Sequence, residues 1–317
     1  MKIFEKLKSR KLAKVLAAAA VGGMLFFGSG DALAAANPDG MTEFRQSYLA
    51  SAPDNRAFRQ IISFFGGTVF QADVNSDGIV LNDGSMRIGG TLNWSYTSPQ
   101  TKQTKNLSIP FYVTQNGGGD MNLFVQRNRQ WSKMALPGFP SAIANALKST
   151  DPTVMQQNMQ AVKEVEVFKD DANQRILRIV VDGKYAAGLL DKYSDANADG
   201  ANANRNLKKA FQENDALITW TVNKKTGKTV TMLIELTDIM RSFARGMLAD
   251  SAAGTVKLSQ EEMSLLDAIG YYSEFHYSLT YHDNSDSSID APSNVTSAPE
   301  NDSVLDDLAD EMVNVVK

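Results

Sequence analysis

The 317-residue chain contains no cysteine and only two histidines. Without cysteine there are no disulfides, no thiolate nucleophiles and no Cys-based zinc or iron–sulfur centres. The histidines, His276 and His282, fall on or just after one expected strand, where about 3.3–3.4 Å per residue sets them roughly 20 Å apart. They read as a surface pair rather than two ligands of one ion. No nucleophile elbow, phosphate-binding loop, His-Glu-x-x-His helix or dinucleotide fingerprint is present. Most Asp and Glu sit in turns and tails, so no catalytic pair stands out. The expectation is a non-enzymatic protein with no catalytic residue, no resident metal and no cofactor. Long apolar runs are also missing beyond the N-terminus, where nothing approaches the roughly 20 residues of a membrane helix. The formal net charge is -4. Because the first residues are basic, the remainder is more acidic still, which argues against a nucleic-acid surface.

Those first residues carry the compartment signal. Lys2, Lys6, Lys8, Arg10, Lys11 and Lys14 precede an apolar core from Val15 to Phe27, and Ala32-Leu33-Ala34 supplies the small-x-small pattern of a cleavage site. The expected organisation is a signal peptide at residues 1–35, one domain at 36–282 and an acidic tail at 283–317. The mature chain is expected to be exported, periplasmic or extracellular, with no transmembrane span.

Between Thr68 and Leu136 apolar residues recur at every second position, and the breaks fall on Asp-Gly and Gly-Gly-Gly turns. Met86, Ile88, Leu92 and Trp94 share one parity, as do Leu107, Ile109, Phe111 and Val113, giving strands with one apolar and one polar face. Val165–Lys169 with Gln174–Val181, and Leu217–Asn223 with Val230–Thr237, read as further hairpins. Tyr271–His282 reads as a closing strand. Helical periodicity is expected over Met41–Phe65, broken at Pro53, and around Ile143–Val162, Tyr185–Tyr193, Leu207–Glu213, Ile239–Leu248 and Gln260–Ile269. The fold class is therefore α+β, a large curved antiparallel sheet whose concave apolar face is covered by helices. From Asp283 the composition turns to Asp, Ser, Asn and Pro and reads as disordered. Residues 303–316 regain helical periodicity and read as a loosely formed terminal amphipathic helix, the alternative being a docking helix for an envelope partner.

Two segments open like calcium loops, Asp73-Val74-Asn75-Ser76-Asp77-Gly78 and Asp195-Ala196-Asn197-Ala198-Asp199-Gly200. Neither completes the pattern, since Gly84 and Asn206 stand where a bidentate Glu belongs. The first is expected to be a hairpin turn. Arg241 and Arg245, one helical turn apart, are candidate contacts for an anionic group.

The order of these parts resembles the LolA-like superfamily of lipid-binding and lipoprotein-carrier half-barrels, closest to exported members of unassigned function. The likeness rests on Trp131-Ser132-Lys133 leading to Leu136-Pro137, on Val180-Val181-Asp182-Gly183-Lys184-Tyr185, and on Ile218 through Gly227 (ITWTVNKKTG). It implies a half-open β-barrel over about Met41–His282, with a cavity that receives acyl chains. The parity reading agrees, because a concave wall bearing Trp94, Phe111, Met121, Leu123, Trp220, Met232, Ile234, Phe275 and Tyr277 buries a lipid tail at about 0.8 kcal/mol per CH₂. Ile239–Leu248 and Ala142–Leu147 are the candidate moving covers. The leading expectation is thus an exported carrier or sensor of a lipid or acylated ligand. The alternative is a structural or interaction component of the cell envelope whose apolar face is a filled core. A closed outer-membrane barrel ranks third, because helices interrupt the strands and the chain ends acidic rather than on a strand.

Overall fold

The computed structural model describes residues 40–42, 44, 56–80, 85–98, 101–115, 121–136, 161–193, 201–282, 289–301, 303, 304 and 307. Eleven strands form one antiparallel sheet. In chain order they are β1 (Arg56–Gly66), β2 (Phe70–Val80), β3 (Met86–Thr97), β4 (Thr104–Gln115), β5 (Met121–Arg127), β6 (Gln130–Leu136), β7 (Val162–Asp170), β8 (Gln174–Val181), β9 (Ala216–Asn223), β10 (Thr229–Glu235) and β11 (Ser273–His282). Helices α1 (Gly183–Tyr193) and α2 (Ala201–Glu213) connect β8 to β9, and α3 (Thr237–Ala252) and α4 (Gln260–Tyr272) connect β10 to β11. The spatial order is β6-β5-β4-β3-β2-β1-β11-β10-β9-β8-β7. Two meanders, β1–β6 and β7–β10, are joined through β11, and among the described residues the sheet does not close into a barrel. No described helix is long and apolar enough to cross a membrane.

The alternation read from sequence fixes which face is inside. On β11, Phe275, Tyr277, Leu279 and Tyr281 are buried, while Glu274 and His282 are exposed. The buried side chains of Ile239, Phe243, Leu266 and Ile269, from α3 and α4, belong to the same apolar cluster. Helix α4 lies against β1 and β11, α3 lies against β11, and α1 to α4 pack in sequence order. Ser259 starts α4 with a reciprocal cap: its Oγ accepts from the Glu262 N–H at 3.1 Å and its own N–H donates to Glu262 Oε2 at 2.7 Å.

Three expectations fail, each for a physical reason. Phe58–Phe65 was expected to be helical but is strand β1, paired with β2 on one side and β11 on the other. Phe58 and Ile62 stand four apart, which is one helical turn and also two strand periods, so the spacing fits both structures. The partner strands decide it, and they leave Ile61 and Phe65 on the opposite face. Second, Asn75-Ser76-Asp77-Gly78 is not a turn. Strand β2 runs unbroken through it, in register with Thr91-Gly90-Gly89-Ile88 of β3, and the chain turns instead at 67–69, where Gly67 has φ 57°. Asp73, Asn75 and Asp77 therefore line one strand face and cannot wrap a cation. Asp73 accepts from Gln71 Nε2, and Asp77 pairs with Arg59 at 2.9 Å. No metal-competent cluster of acidic or histidine side chains occurs among the described residues.

The third concerns the tail. Residues 289–301 are seated on the sheet rather than disordered: Val295 is 1% exposed and packs with Tyr112, Phe124 and Trp131 on the outer face of β4–β6. The compositional reading missed this because the strand parity expected to be polar carries those three aromatics, and Val295 with Ile289 and Ala298 beside it docks on them. Tyr271 and Tyr272, expected on β11, form the end of α4 and are exposed. The signal peptide, the 142–160 helices with the Ala142–Leu147 cover, residues 195–200 of the second calcium-like loop and most of the terminal helix lie outside the described residues, while Asn206, the twelfth position of that loop, is buried in α2 and donates to Asp250 at 2.7 Å.

Candidate functional site

The inner wall is built in rows across strands in register. One row runs from β5 to β8 as Val125, Phe111, Gly90, Ser76, Gln60, Leu279, Met232, Trp220 and Leu177. The next runs Ile109, Leu92, Val74, Ile62, Tyr277, Ile234, Ile218 and Ile179. Every side chain named for the concave wall from the sequence lies on this face: Trp94, Phe111, Met121, Leu123, Trp220, Met232, Ile234, Phe275 and Tyr277 are all buried.

Glycine and phenylalanine are matched across strands on this wall. Phe58 stands in register with Gly78, Phe70 with Gly66 and Phe111 with Gly90. In each pair the ring lies over the glycine, where an added Cβ would meet it. The missing side chain on one strand makes room for the ring of the next, keeping the wall continuous without bulk.

Both halves of the wall are buried in one apolar cluster, and the described packing partners differ between them. Over β8–β11 and β1 the chain fills its own interior. Phe44 meets Trp220 edge-on at 5.2 Å, Trp220 Nε1 donates to buried Thr229 Oγ1 at 2.9 Å, and Phe275 meets Phe64 at 5.5 Å. The fully buried Phe243, Leu266 and Ile269 complete this part from the helices. Over β2–β6 the wall presents the Phe70–Trp94 stack at 5.5 Å, then Ile88, Ile109, Phe111, Val113, Met121, Leu123 and Val125.

Polar groups within the wall are few. Gln60 is 1% exposed; its Oε1 accepts from the Tyr277 hydroxyl at 3.4 Å, and its Nε2 has no protein partner. Ser76 Oγ, beside it in register, and Trp94 Nε1 are likewise buried without partners. Burial, with a smaller effect from Tyr281, pushes the Tyr277 hydroxyl far above its ordinary range, so it stays neutral and can donate. The wall therefore offers apolar area and a few neutral hydrogen-bonding groups, with one buried charge at its β8 end, where Arg175, in register with Val222, pairs with Asp170 at 2.9 Å.

The two candidate anion contacts separate. Arg241 Nε donates to the Ser273 carbonyl at 3.0 Å, tying α3 to the start of β11. Arg245 is exposed and lines a cleft of about 310 Å³ between α2 and α3, with Asn206, Lys209, Glu213 and Ser242. In that cleft Glu213 accepts from Ser242 Oγ at 3.0 Å and pairs with Lys209 at 3.7 Å. His276 faces outward beside Glu274 at 3.7 Å, a surface residue as its spacing suggested.

Sequence reading missed the chain's own C-terminal segment at this wall. After Val295 on the outer face, the segment passes the edge strand β6: the Lys133 N–H donates to the Pro299 carbonyl at 2.9 Å and the Asn301 N–H donates to the Lys133 carbonyl at 2.7 Å. Val304, 1% exposed, then joins the inner apolar cluster. The available signal was the heptad-like apolar spacing that begins at Val304.

No family model matches the chain, and no curated protein is similar to it. Among solved structures the chain is similar to LprF from Mycobacterium bovis, at 10% identity over 80% of this chain and 93% of that one, with a TM-score of 0.35. A likeness of that size carries no weight on family or function.

Proposed function

We propose that this chain is an exported, non-enzymatic half-barrel protein that carries or senses a lipid or other apolar ligand on the inner wall of its sheet, over β2–β6. What supports this is one observation, a continuous apolar wall over β2–β6 crossed by few polar groups, the buried charge of Arg175 lying at the far end on β8. Such a surface binds by burying hydrocarbon, at about 25 cal/mol per Å² of apolar area removed from water. The unpaired Ser76 and Trp94 groups on β2 and β3, with Gln60 beside Ser76 at the border on β1, would orient an uncharged polar portion of the ligand.

The second reading is a structural envelope protein with a filled core. It is favoured by the β8–β11 half, where Phe44, α3 and α4 leave Trp220, Met232, Ile234, Phe275 and Tyr277 as packed core. These five therefore serve the scaffold in our reading, and Trp94, Phe111, Met121 and Leu123 serve the ligand. Hydrogen exchange with and without a long-chain fatty acid separates the two readings. Carriage predicts added protection confined to β2–β6, whereas the structural reading predicts no change anywhere in the sheet.

A further inference from the structure

We propose that the C-terminal segment is a gate on the inner wall, anchored on the outer face at Val295 and closing over the β6 edge with Val304. This rests on the reading of that wall as a ligand surface. Three observations carry it. The anchor is strong: Val295 is 1% exposed among Tyr112, Phe124 and Trp131, with Ile289 and Ala298 packed beside it. The crossing is weak and polar, resting on two main-chain bonds to Lys133 and a Lys133–Glu300 ion pair at 3.4 Å in which Glu300 is 78% exposed. The tip is apolar, Val304 being buried in the same cluster as the inner wall and held there by an Arg127–Asp307 pair at 3.0 Å.

A strap with a firm anchor, a weak crossing and an apolar tip opens at its tip. Among the described residues, lifting the strap beyond Pro299 breaks the Asn301–Lys133 main-chain bond, the Lys133–Glu300 and Arg127–Asp307 pairs and the burial of Val304, and the anchor keeps the segment at hand for reclosure. The turn that sends the chain inward is preformed, since Asn301 Oδ1 accepts from the Ser303 N–H at 2.9 Å and Asn301 Nδ2 donates to Asp307 at 3.0 Å. The closed tip and a ligand compete for the same apolar surface, so the strap sets the apparent affinity of the wall by the fraction of time it is open.

The absence of cysteine permits a direct test. Lys133 and Glu300 are bridge partners across the edge, so the double variant Lys133→Cys/Glu300→Cys locks the crossing when oxidised and frees it when reduced. The probe is a pyrene-labelled fatty acid added to the full chain, to oxidised and reduced double variant, and to Val304→Asp. The gate predicts uptake about fivefold lower in the oxidised than in the reduced form, and higher in Val304→Asp than in the unmodified chain. Equal uptake in all four proteins overturns the gate and leaves the ligand wall standing. Uptake in none of them overturns the ligand wall, and the gate with it.

Discussion

Gly78 has no room for a side chain, because the Phe58 ring of the neighbouring strand lies over it. Alanine there would push the ring off its position in a packed wall, and overpacking of this kind costs about 1–3 kcal/mol. Gly78→Ala is therefore expected to lower the urea midpoint without changing the slope; an unchanged midpoint would show that the ring moves aside freely. The sequence hid this role. Asp77-Gly78 carries turn chemistry, and only the strand register reveals that the glycine serves a facing aromatic. Inner residues such as Ile88, Leu92 and Trp94 were legible because their neighbours alternate polar and apolar. Gln60 was not legible, since a buried glutamine breaks the alternation and disguised β1 as a helix. Tyr112, Phe124 and Trp131 break that alternation on the outer face, and their partner is the tail.

Helix α1 shows how one carboxylate holds elements together. Asp215, just before β9, accepts from the Gly183 N–H at the start of α1 at 3.0 Å and from Lys163 Nζ of β7 at 2.7 Å. Burial raises its pKa, but the Lys163 and Gly183 hydrogen bonds together with the Lys163 and Lys184 charges outweigh it, so the group titrates below the ordinary aspartate range. A lowered folded pKa means that the stabilisation is complete above the unfolded value of about 4 and is lost as pH falls through the folded one. Thermal melts at pH 6 and pH 3 should therefore differ more for the unmodified chain than for Asp215→Asn; an equal difference would remove Asp215 from the acid response. Elements of this kind were well forecast by sequence. The β7–β8 and β9–β10 hairpins announced themselves through Asp171 and Asn173 and through Gly227, which takes φ 70° in its turn. Helices α1, α3 and α4 followed from periodicity, whereas α2 starts at Ala201, six residues before the Leu207 start that periodicity indicated, because its first turns are polar. The unbroken β2 did not, because good turn formers also lie comfortably on the polar face of a strand with partners on both sides.

At the scale of the molecule, the two meanders become one surface only because β11 pairs with β1 on one side and β10 on the other. The sequence indicated two half-surfaces of matching parity but not the strand that joins them, since pairing between distant segments leaves no local trace. Nor could it show that one half of the wall is filled by Phe44, α3 and α4. The edges are protected differently as well. Strand β7 carries Lys163, Glu164, Glu166, Lys169 and Asp170 along its open side, whereas apolar β6 is covered by the C-terminal segment. The account's central claim is that the β2–β6 wall holds an apolar ligand. Native mass spectrometry of the protein purified from its host without detergent tests it most directly. The account predicts a population heavier than the polypeptide by the mass of one lipid, released on denaturation. Protein that carries only its own mass, and gains none after incubation with a long-chain fatty acid, would contradict it.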